Sequence, residues 1–262
     1  MWLSAFSQRT SLTKHPVFVQ LRKFIKRLSD GSIGKGIDFM EYTINQIKEP
    51  WSKAVEKMNQ SKWFKRLNEG ELELCHYKGY LLETYFHTQW NPQIQAFATM
   101  YLKENYRDIN RMFYRHATSE IGHDLMALSD LKELGVKEED VIHRQPLPET
   151  IALNAFTLYQ IQFVDPLCYL GYLFHLEFLP TQNGHGYKQK LMDMGVPESA
   201  LTFIEEHATV DVGHNKMMES YVKTLVKSDK DLKRVIQSSI ESCKLHQHMI
   251  EASFVNGEEI FK

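Results

Sequence analysis

The chain has 262 residues, of which 43% are hydrophobic, so it is long enough to bury a substantial core as one compact domain. Charges of both signs are interspersed and sum to −2, which gives no indication of a nucleic-acid partner. Three widely separated cysteines exclude a disulfide framework, no apolar run reaches membrane-spanning length, and we therefore expect a soluble cytoplasmic protein with no membrane partner.

The hydrophobic periodicity is helical almost throughout, and no convincing alternating strand is present. Glycines and prolines fall mainly between the periodic segments, where they punctuate helices. The predicted helices cover residues 15–29, 36–60, 71–104, 107–135, 148–180, 184–195, 197–227 and 229–255. Pro50 and Pro92 predict a kink or break within the second and third of these helices. The pattern therefore predicts a single all-helical domain.

The helix predicted over 71–104 carries polar side chains among aromatic residues that we expect to pack in the core. Glu83 and His87 recur there at helical spacing and are candidates for substrate contact. In the last predicted helix, His246 and His248 face opposite ways, and we expect both on a solvated surface.

The helix predicted over 107–135 contains the stretch HATSEIGHD at 116–124, in which Glu120 and His123 lie one turn apart on one face. A Glu/His pair at this spacing is a ligand unit of di-iron carboxylate bundles, although the same pair occurs by chance on many surface helices. We expect His116, one turn before Glu120, to be partly exposed, and a role for it as an additional ligand stays open.

Glu177 lies in the apolar segment CYLGYLFHLEFLP at 168–180. Burying a carboxylate there is costly unless it is paired or bound to a metal, so Glu177 is a ligand candidate. His175 is two residues away and points to a different helix face, so we leave it out of the ligand set. Tyr172 precedes Glu177 and is a candidate to line the substrate or dioxygen cavity.

The stretch EEHATVDVGH at 205–214 places His207, Asp211 and His214 within roughly 40° of one another on one helix face. At about 1.5 Å of rise per residue, the two imidazoles are roughly 10 Å apart along the axis. That separation suits two metal ions about 3.5–4 Å apart better than a single ion. A solvated polar stripe, or histidines hydrogen-bonded in the core, is the alternative interpretation.

Three predicted helices together supply three carboxylates and three imidazoles. The candidate metal ligands are Glu120, His123, Glu177, His207, Asp211 and His214. A set of nitrogen and oxygen ligands without thiolate suits Fe(II) or Mn(II) and argues against a structural zinc site. Two divalent ions would leave coordination positions open for dioxygen and for a substrate carboxylate or amine.

The same residues carry a family resemblance. The segment WFKRLNEGELELCHYKGYLLETYFHTQ at 63–89 resembles the opening signature of the heme-oxygenase-like/TenA superfamily. ExxH at 120–123, Glu177 after G-Y-L, and HxxxDxxH at 207–214 follow the ligand order of the heme-oxygenase-like diiron oxidases. That family includes fatty-acid decarboxylases, amino-acid-fragmenting oxidases and N-oxygenases. The resemblance covers roughly residues 60–225.

The resemblance implies one heme-oxygenase/TenA-like seven-helix bundle over residues 1–262, with 1–55 as an N-terminal helical extension and 60–255 as the core bundle. It implies two Fe(II) ions, with Fe/Mn as an alternative, and dioxygen as cosubstrate. The substrate would be a small carboxylate-bearing molecule, an amino acid or a fatty acid, that is oxidised or cleaved. The resemblance also implies that Asp211 is a mobile ligand, and homodimers are common in the superfamily.

Two other functions stay open at this point. A TenA-like hydrolase or transferase would need no metal and would depend on Cys168 or on an acid such as Glu83, but no cysteine lies beside His207. A non-catalytic helical protein would bind a partner through residues 1–55.

Overall fold

The computed structural model describes residues 37–102 and 106–262, except the side chains of residues 37–43, 181–185 and 209–215. The compact unit that carries the candidate site comprises Thr43–Lys262. Its described part is helical and contains no β-strand. The helices are α1 (Ile37–Asn59), α2 (Lys62–Glu69), α3 (Leu74–Thr88), α4 (Asn91–Tyr101), α5 (Arg107–Ser119), α6 (His123–Glu133), α7 (Glu138–Ile142), α8 (Pro148–Tyr159), α9 (Cys168–Asp193), α10 (Thr202–Leu225) and α11 (Asp229–Phe261).

The long helices α3, α9, α10 and α11 form the centre of the bundle. Helix α11 packs along both α3 and α9, α10 packs along α9, and α6 packs against α3. Large side chains that are fully buried form the core, among them Trp51, Phe113, Phe174 and Tyr221. Burial of this much apolar surface is what stabilises the bundle. None of the described helices is long and apolar enough to cross a membrane.

Glycines allow the closest helix contacts. A Cβ on Gly79 of α3 would collide with the backbone carbonyl of Ser253 in α11, and one on Gly257 would collide with the carbonyl of Cys75 in α3. A Cβ on Gly171 of α9 would likewise meet the backbone of α11. These three positions fix how near α11 lies to its two neighbours.

The helix boundaries confirm some of the predicted breaks and correct others. Pro92 lies in the first turn of α4, so the bend predicted there is a break between α3 and α4. The helix predicted over 148–180 is in fact interrupted before Pro166, after a π-helical turn over Gln160–Val164.

Helix α9, in contrast, continues through Pro180, where the sequence predicts an end. A proline costs a helix one backbone hydrogen bond, and α9 is long and well packed enough to tolerate that loss. The helix predicted over 15–29 lies outside the described residues.

Candidate metal centre

The junction between α5 and α6 positions the first two candidate ligands. Helix α5 ends at Ser119, Glu120 caps it, and Gly122 turns the chain with a left-handed φ of 103° before α6 begins at His123. The continuous helix predicted over 107–135 is therefore wrong, because glycine adopts this φ without steric cost. The two side chains still meet across the break: Glu120 Oε2 lies 3.3 Å from His123 Nδ1.

His116 brings Glu120 and Glu177 together. Its Nε2 atom lies 3.0 Å from Glu177 Oε1 and 3.4 Å from Glu120 Oε1. The three side chains offer ligand atoms that all lie within 4.8 Å of one another. His116 is only 1% exposed, so the expectation that it is partly exposed is wrong. It lies one turn before Glu120 on the face of α5 that points to the core, next to the buried Phe113 and Ala117.

His207 approaches the same group of side chains from α10. Its ring centroid is 4.8 Å from that of His123, in an edge-to-face arrangement. Its Nδ1 lies 2.7 Å from the backbone carbonyl of Phe203, and a carbonyl oxygen only accepts. His207 therefore carries its proton on Nδ1 and presents the lone pair of Nε2, the arrangement in which a histidine binds a metal.

The remaining two predicted ligands, Asp211 and His214, lie outside the described side chains. The backbone of α10 is helical across their positions, as the HxxxDxxH spacing requires.

A buried carboxylate that the sequence analysis did not single out anchors this helix. Asp130 of α6 is fully buried, and its Oδ1 accepts hydrogen bonds from the backbone N–H and the hydroxyl of Thr202. Its Oδ2 accepts from the backbone N–H of Phe203 at 3.0 Å. Asp130 thereby satisfies N–H groups in the first turn of α10, which have no partner within the helix. The helix that begins with His123 thus holds the start of the helix that carries His207.

Opposite charges hold the buried group together. Burial by itself would lower the pKa of His116, but its hydrogen bonds to Glu120 and Glu177 outweigh burial and raise the pKa to about 9. Burial would raise the pKa of Glu120, yet His116 and His123 hold it well below its ordinary value. Burial, and then the charge of His123, lower the pKa of His207. Two carboxylates that share one imidazolium form a site whose positive charge can be exchanged for that of a cation.

The group forms part of the wall of a cavity of about 180 Å³. Glu120, Glu177 and His207 contribute to this wall, and so do His87 and Tyr172, two of the predicted substrate contacts. Most of the remaining wall is aliphatic or aromatic, including Phe64, Leu72, Leu173, Met249 and Ile250. Within the described part of the chain, no lysine, arginine or cysteine lines the cavity.

The third predicted substrate contact, Glu83, has a different place. It is 1% exposed and is not among the described side chains that line the cavity. Its Oε2 accepts hydrogen bonds from the backbone N–H of Leu147 and the hydroxyl of Thr150. Leu147 precedes the first turn of α8, so Glu83 caps that helix from α3. This capping role occupies Oε2, and a contact between Glu83 and a substrate stays a prediction.

His175 and His246 are engaged with each other. His175 Nδ1 accepts from the indole N–H of Trp51 at 3.0 Å, and its Nε2 lies 2.9 Å from His246 Nδ1. Leaving His175 out of the ligand set agrees with this, since both of its nitrogens have partners. His246 lines the cavity, so the expectation of a solvated surface position for it is wrong.

The donor set fits iron. The described group offers two carboxylates and imidazoles from His116, His123 and His207, and no thiolate. Oxygen and nitrogen donors of this kind suit Fe(II) and Mn(II), and the adjoining cavity leaves room for further ligands. The sequence identified Glu120 by its spacing to His123 and Glu177 by its apolar surroundings, but it did not reveal the central place of His116.

The chain is similar to known proteins in sequence and in fold. The model of a family described as iron-containing redox enzymes matches residues 78–247. A domain of unknown function with a heme oxygenase-like fold from Shewanella denitrificans superposes with a TM-score of 0.70 at 23% identity, covering 83% of this chain and 92% of that one. A TenA homologue from P. horikoshii superposes with a TM-score of 0.65 at 16% identity, covering 82% and 99%. No curated protein matches the chain. The predicted all-α heme-oxygenase/TenA-like fold is confirmed.

Proposed function

The chain belongs to the family of iron-containing redox enzymes, and we propose that it is a non-heme diiron oxidase or oxygenase. It would use dioxygen to oxidise or cleave a small carboxylate-bearing substrate. The observation that supports this most strongly is the convergence of His116, Glu120 and Glu177 within 4.8 Å of one another beside a largely apolar cavity.

The metal would be held by the buried carboxylates and imidazoles. Glu120 and Glu177 would each provide oxygen ligands, with nitrogen ligands from His116, His123 and His207, and with Asp211 and His214 completing the predicted set. Bound ferrous iron supplies the electrons that dioxygen reduction requires. The proton on His116 Nε2 has to leave before that nitrogen can bind a metal, because only the neutral ring has a lone pair there.

The remaining side chains would orient and shield the reacting groups. The carbonyl of Phe203 holds the His207 ring with Nε2 available, and Asp130 fixes the start of the helix on which it lies. The apolar wall excludes water from the metal-facing part of the cavity, which strengthens electrostatic interactions there.

The cavity favours a fatty acid over an amino acid among the two substrate classes. An amino acid would bring a charged ammonium group that needs a carboxylate partner, and the carboxylates among the described wall residues are Glu120 and Glu177, which would bind metal. A fatty acid brings a carboxylate for the metal and an apolar chain for the wall. Burying that chain is favourable by about 0.8 kcal/mol for each CH₂ group.

Iron content tests the proposal. Purified protein is loaded with Fe(II) under anaerobic conditions, freed of unbound metal and analysed for iron per chain. We expect close to two iron ions in the wild type and a marked loss in Glu177→Ala and His207→Ala. His143→Ala, which removes an exposed imidazole from the end of α7, serves as the matched control and should leave the iron content unchanged. Less than one iron per chain that none of the variants alters would rule the proposal out.

The metal-independent alternative finds less support. All three cysteines are buried, and burial raises the pKa of the Cys168 thiol to about 11, which keeps the poorly nucleophilic protonated form at neutral pH. Hydrolase or transferase activity that chelators do not affect, and that depends on Cys168 or on an acid such as Glu83, would favour this alternative.

A further inference from the structure

A buried tryptophan determines the protonation of two histidines. The indole N–H of Trp51 can only donate, so His175 Nδ1, which lies 3.0 Å away, must accept and carries no proton. The ring proton of His175 is therefore on Nε2, where it is donated to His246 Nδ1 at 2.9 Å. Trp51 and His175 are both fully buried. No other arrangement satisfies both hydrogen bonds.

The consequence reaches the cavity through His246. Because its Nδ1 accepts from His175, its own ring proton must lie on Nε2, at the opposite edge of the ring. His246 lines the cavity, and within the described part of the chain its Nε2 has no hydrogen-bonding partner. The cavity therefore carries a hydrogen-bond donor of fixed direction on an uncharged ring.

His87 provides the complementary acceptor. Its Nδ1 lies 2.8 Å from Asn154 Oδ1, which only accepts, so Nδ1 carries the proton and Nε2 presents a lone pair. Tyr172 is 3.4 Å from that Nε2 but donates its one proton to Asn91 Oδ1 at 2.8 Å. The rings of His87 and His246 are 5.9 Å apart between centroids, and both line the cavity.

A second buried donor lies in the same cavity wall. Gln95 is 1% exposed, and within the described part of the chain its amide nitrogen has no hydrogen-bonding partner. Polar groups buried without partners cost free energy, so a cavity that contains them favours a ligand that pairs with them.

We propose that His246 and His87 form a recognition site for an uncharged hydroxyl group on the apolar chain of the substrate. The hydroxyl oxygen accepts from His246 Nε2–H, and its proton is donated to His87 Nε2. This inference rests on the proposed function for the fatty-acid class of substrate, and it adds that the acid is hydroxylated.

Charged groups fit this site poorly. Burial lowers the pKa of His87 to about 4 and that of His246 well below its ordinary value, so both rings are neutral at physiological pH. A second carboxylate would find no cation there, and an ammonium group would meet the N–H of His246. A hydroxyl uses both rings as they are.

Binding of matched acids tests the site. Dissociation constants are measured by calorimetry for decanoic acid and for hydroxydecanoic acids with the hydroxyl on the second, third or terminal carbon. In the wild type we expect at least one hydroxy acid to bind about tenfold more tightly than decanoic acid. The preference is the ratio of the two constants, which a general loss of stability would not change selectively.

Two substitutions of one residue separate the roles of its two nitrogens. In His246→Asn the amide oxygen can still accept from His175, but no atom replaces Nε2, so the preference should fall to about one. In His246→Gln the amide nitrogen lies near the former Nε2 position and should retain most of the preference. His248→Asn, on the exposed side of the same helix, should leave it unchanged.

Trp51→Phe provides an independent variant that keeps an aromatic ring in the core and does not alter the cavity wall. Without the indole donor, His175 and His246 can exchange tautomers, so the preference should fall as well. No preference in the wild type, or a full preference in both His246→Asn and Trp51→Phe, overturns the inference.

The measurements are made on the full chain both without metal and after anaerobic loading with Fe(II). A chain that binds no iron but prefers a hydroxy acid would contradict the proposed function alone. A chain that binds two iron ions and shows no preference would contradict the hydroxyl site alone.

Discussion

At the scale of single residues, His116 is the side chain on which the two buried carboxylates converge. Its Nε2 is within 3.4 Å of an oxygen of both Glu120 and Glu177, and its protonated ring offsets part of their charge. A cation that binds between the carboxylates takes over that role. His116 would have to lose the proton on Nε2 to become a ligand, and with that proton in place it orients the carboxylates.

His116→Gln should weaken Fe(II) binding by at least about 10- to 100-fold, the usual cost of removing a group that orients a metal ligand. The affinity is measured by anaerobic titration with a competing chelator. His143→Gln, which replaces an exposed histidine, is the control. Equal affinities in the two variants would show that His116 takes no part in the metal site.

His87 should make the stability of the fold sensitive to acid. Its pKa is about 4 in the folded chain, against roughly 6.5 in an unfolded chain, so the unfolded chain takes up this proton first as the pH falls. The contribution of the neutral His87 ring to the unfolding free energy is fully present above pH 6.5 and is lost as the pH falls to 4. Between pH 7 and pH 4 the wild type should lose unfolding free energy through this proton uptake. The loss should be smaller in His87→Gln, by up to about 3 kcal/mol.

Urea denaturation at the two pH values measures this difference, with His248→Gln on the exposed side of α11 as the control. An equal loss of stability in the wild type and His87→Gln would contradict the assignment of a buried neutral ring.

A site residue can be predicted from the sequence when its neighbours in the chain already reveal it. Glu177 stands out because a carboxylate among leucines and phenylalanines is costly to bury, which the neighbouring residues alone reveal. His116, Asp130 and His246 have ordinary neighbours in sequence. Their burial and their partners result from contacts between helices that are distant in the chain, and no local pattern records those contacts.

At the scale of the elements, α10 depends on α6 for the position of its first turn. Asp130 Oδ1 and Oδ2 accept from the backbone N–H groups of Thr202 and Phe203. The carbonyl of Phe203 in turn accepts from the ring Nδ1–H of His207. A chain of hydrogen bonds therefore connects the interior of α6 to a candidate metal ligand.

Asp130→Asn replaces one accepting oxygen by an N–H₂ group that faces other donors. We expect a loss of about 1–3 kcal/mol in unfolding free energy and a weaker affinity for Fe(II), since His207 loses its fixed position. Urea denaturation and iron titration measure the two effects. Asp140→Asn, in the exposed first turn of α7, should change neither by more than a small amount.

The contact between α3 and α11 should not accept a side chain at Gly79. Because the added methyl group would meet backbone atoms, which cannot rotate away, Gly79→Ala should destabilise the fold by about 1–3 kcal/mol or more. Gly186→Ala is the matched control, because Gly186 lies inside α9 with nothing within 4 Å of the added Cβ. That variant should gain about 0.5–1 kcal/mol, the usual advantage of alanine in a helix. Equal stabilities in chemical denaturation would contradict the close approach.

Hydrophobic periodicity predicts most of the helices, but it predicts their interruptions less well. The hydrophobic pattern is equally periodic on both sides of Gly122 and of Pro166, so it predicts continuous helices there. Whether a proline or glycine ends a helix depends on what the next segment packs against. Pro180 lies inside α9, whereas Pro166 lies in a break between helices.

At the scale of the whole molecule, the candidate site joins parts of the chain that are far apart in sequence. Its described members come from the α5–α6 junction, from α9 and from α10. The all-helical class and the superfamily could be predicted, because long periodic segments and ligand spacing are both local signals. The homodimer and the cytoplasmic location stay predictions.

Because the candidate ligands come from separate helices, bound iron should stabilise the entire bundle. Anaerobic Fe(II) at about 100 times its dissociation constant should add about 2.7 kcal/mol to the unfolding free energy and raise the melting temperature by roughly 5 °C or more. Thermal unfolding followed by circular dichroism measures the shift. Glu177→Gln should lack it, and the same shift in that variant would mean that iron binds elsewhere.

The break between α5 and α6 has a consequence for protein design. A designer who copies the pair Glu120 and His123 onto a straight helix would reproduce its spacing but not its backbone, since Gly122 with φ of 103° lies between the two residues. The unit to transplant is the whole corner Glu120-Ile121-Gly122-His123 together with the ends of both helices. Scaffolds for this corner are pairs of helices joined by a short turn with a glycine in the left-handed conformation.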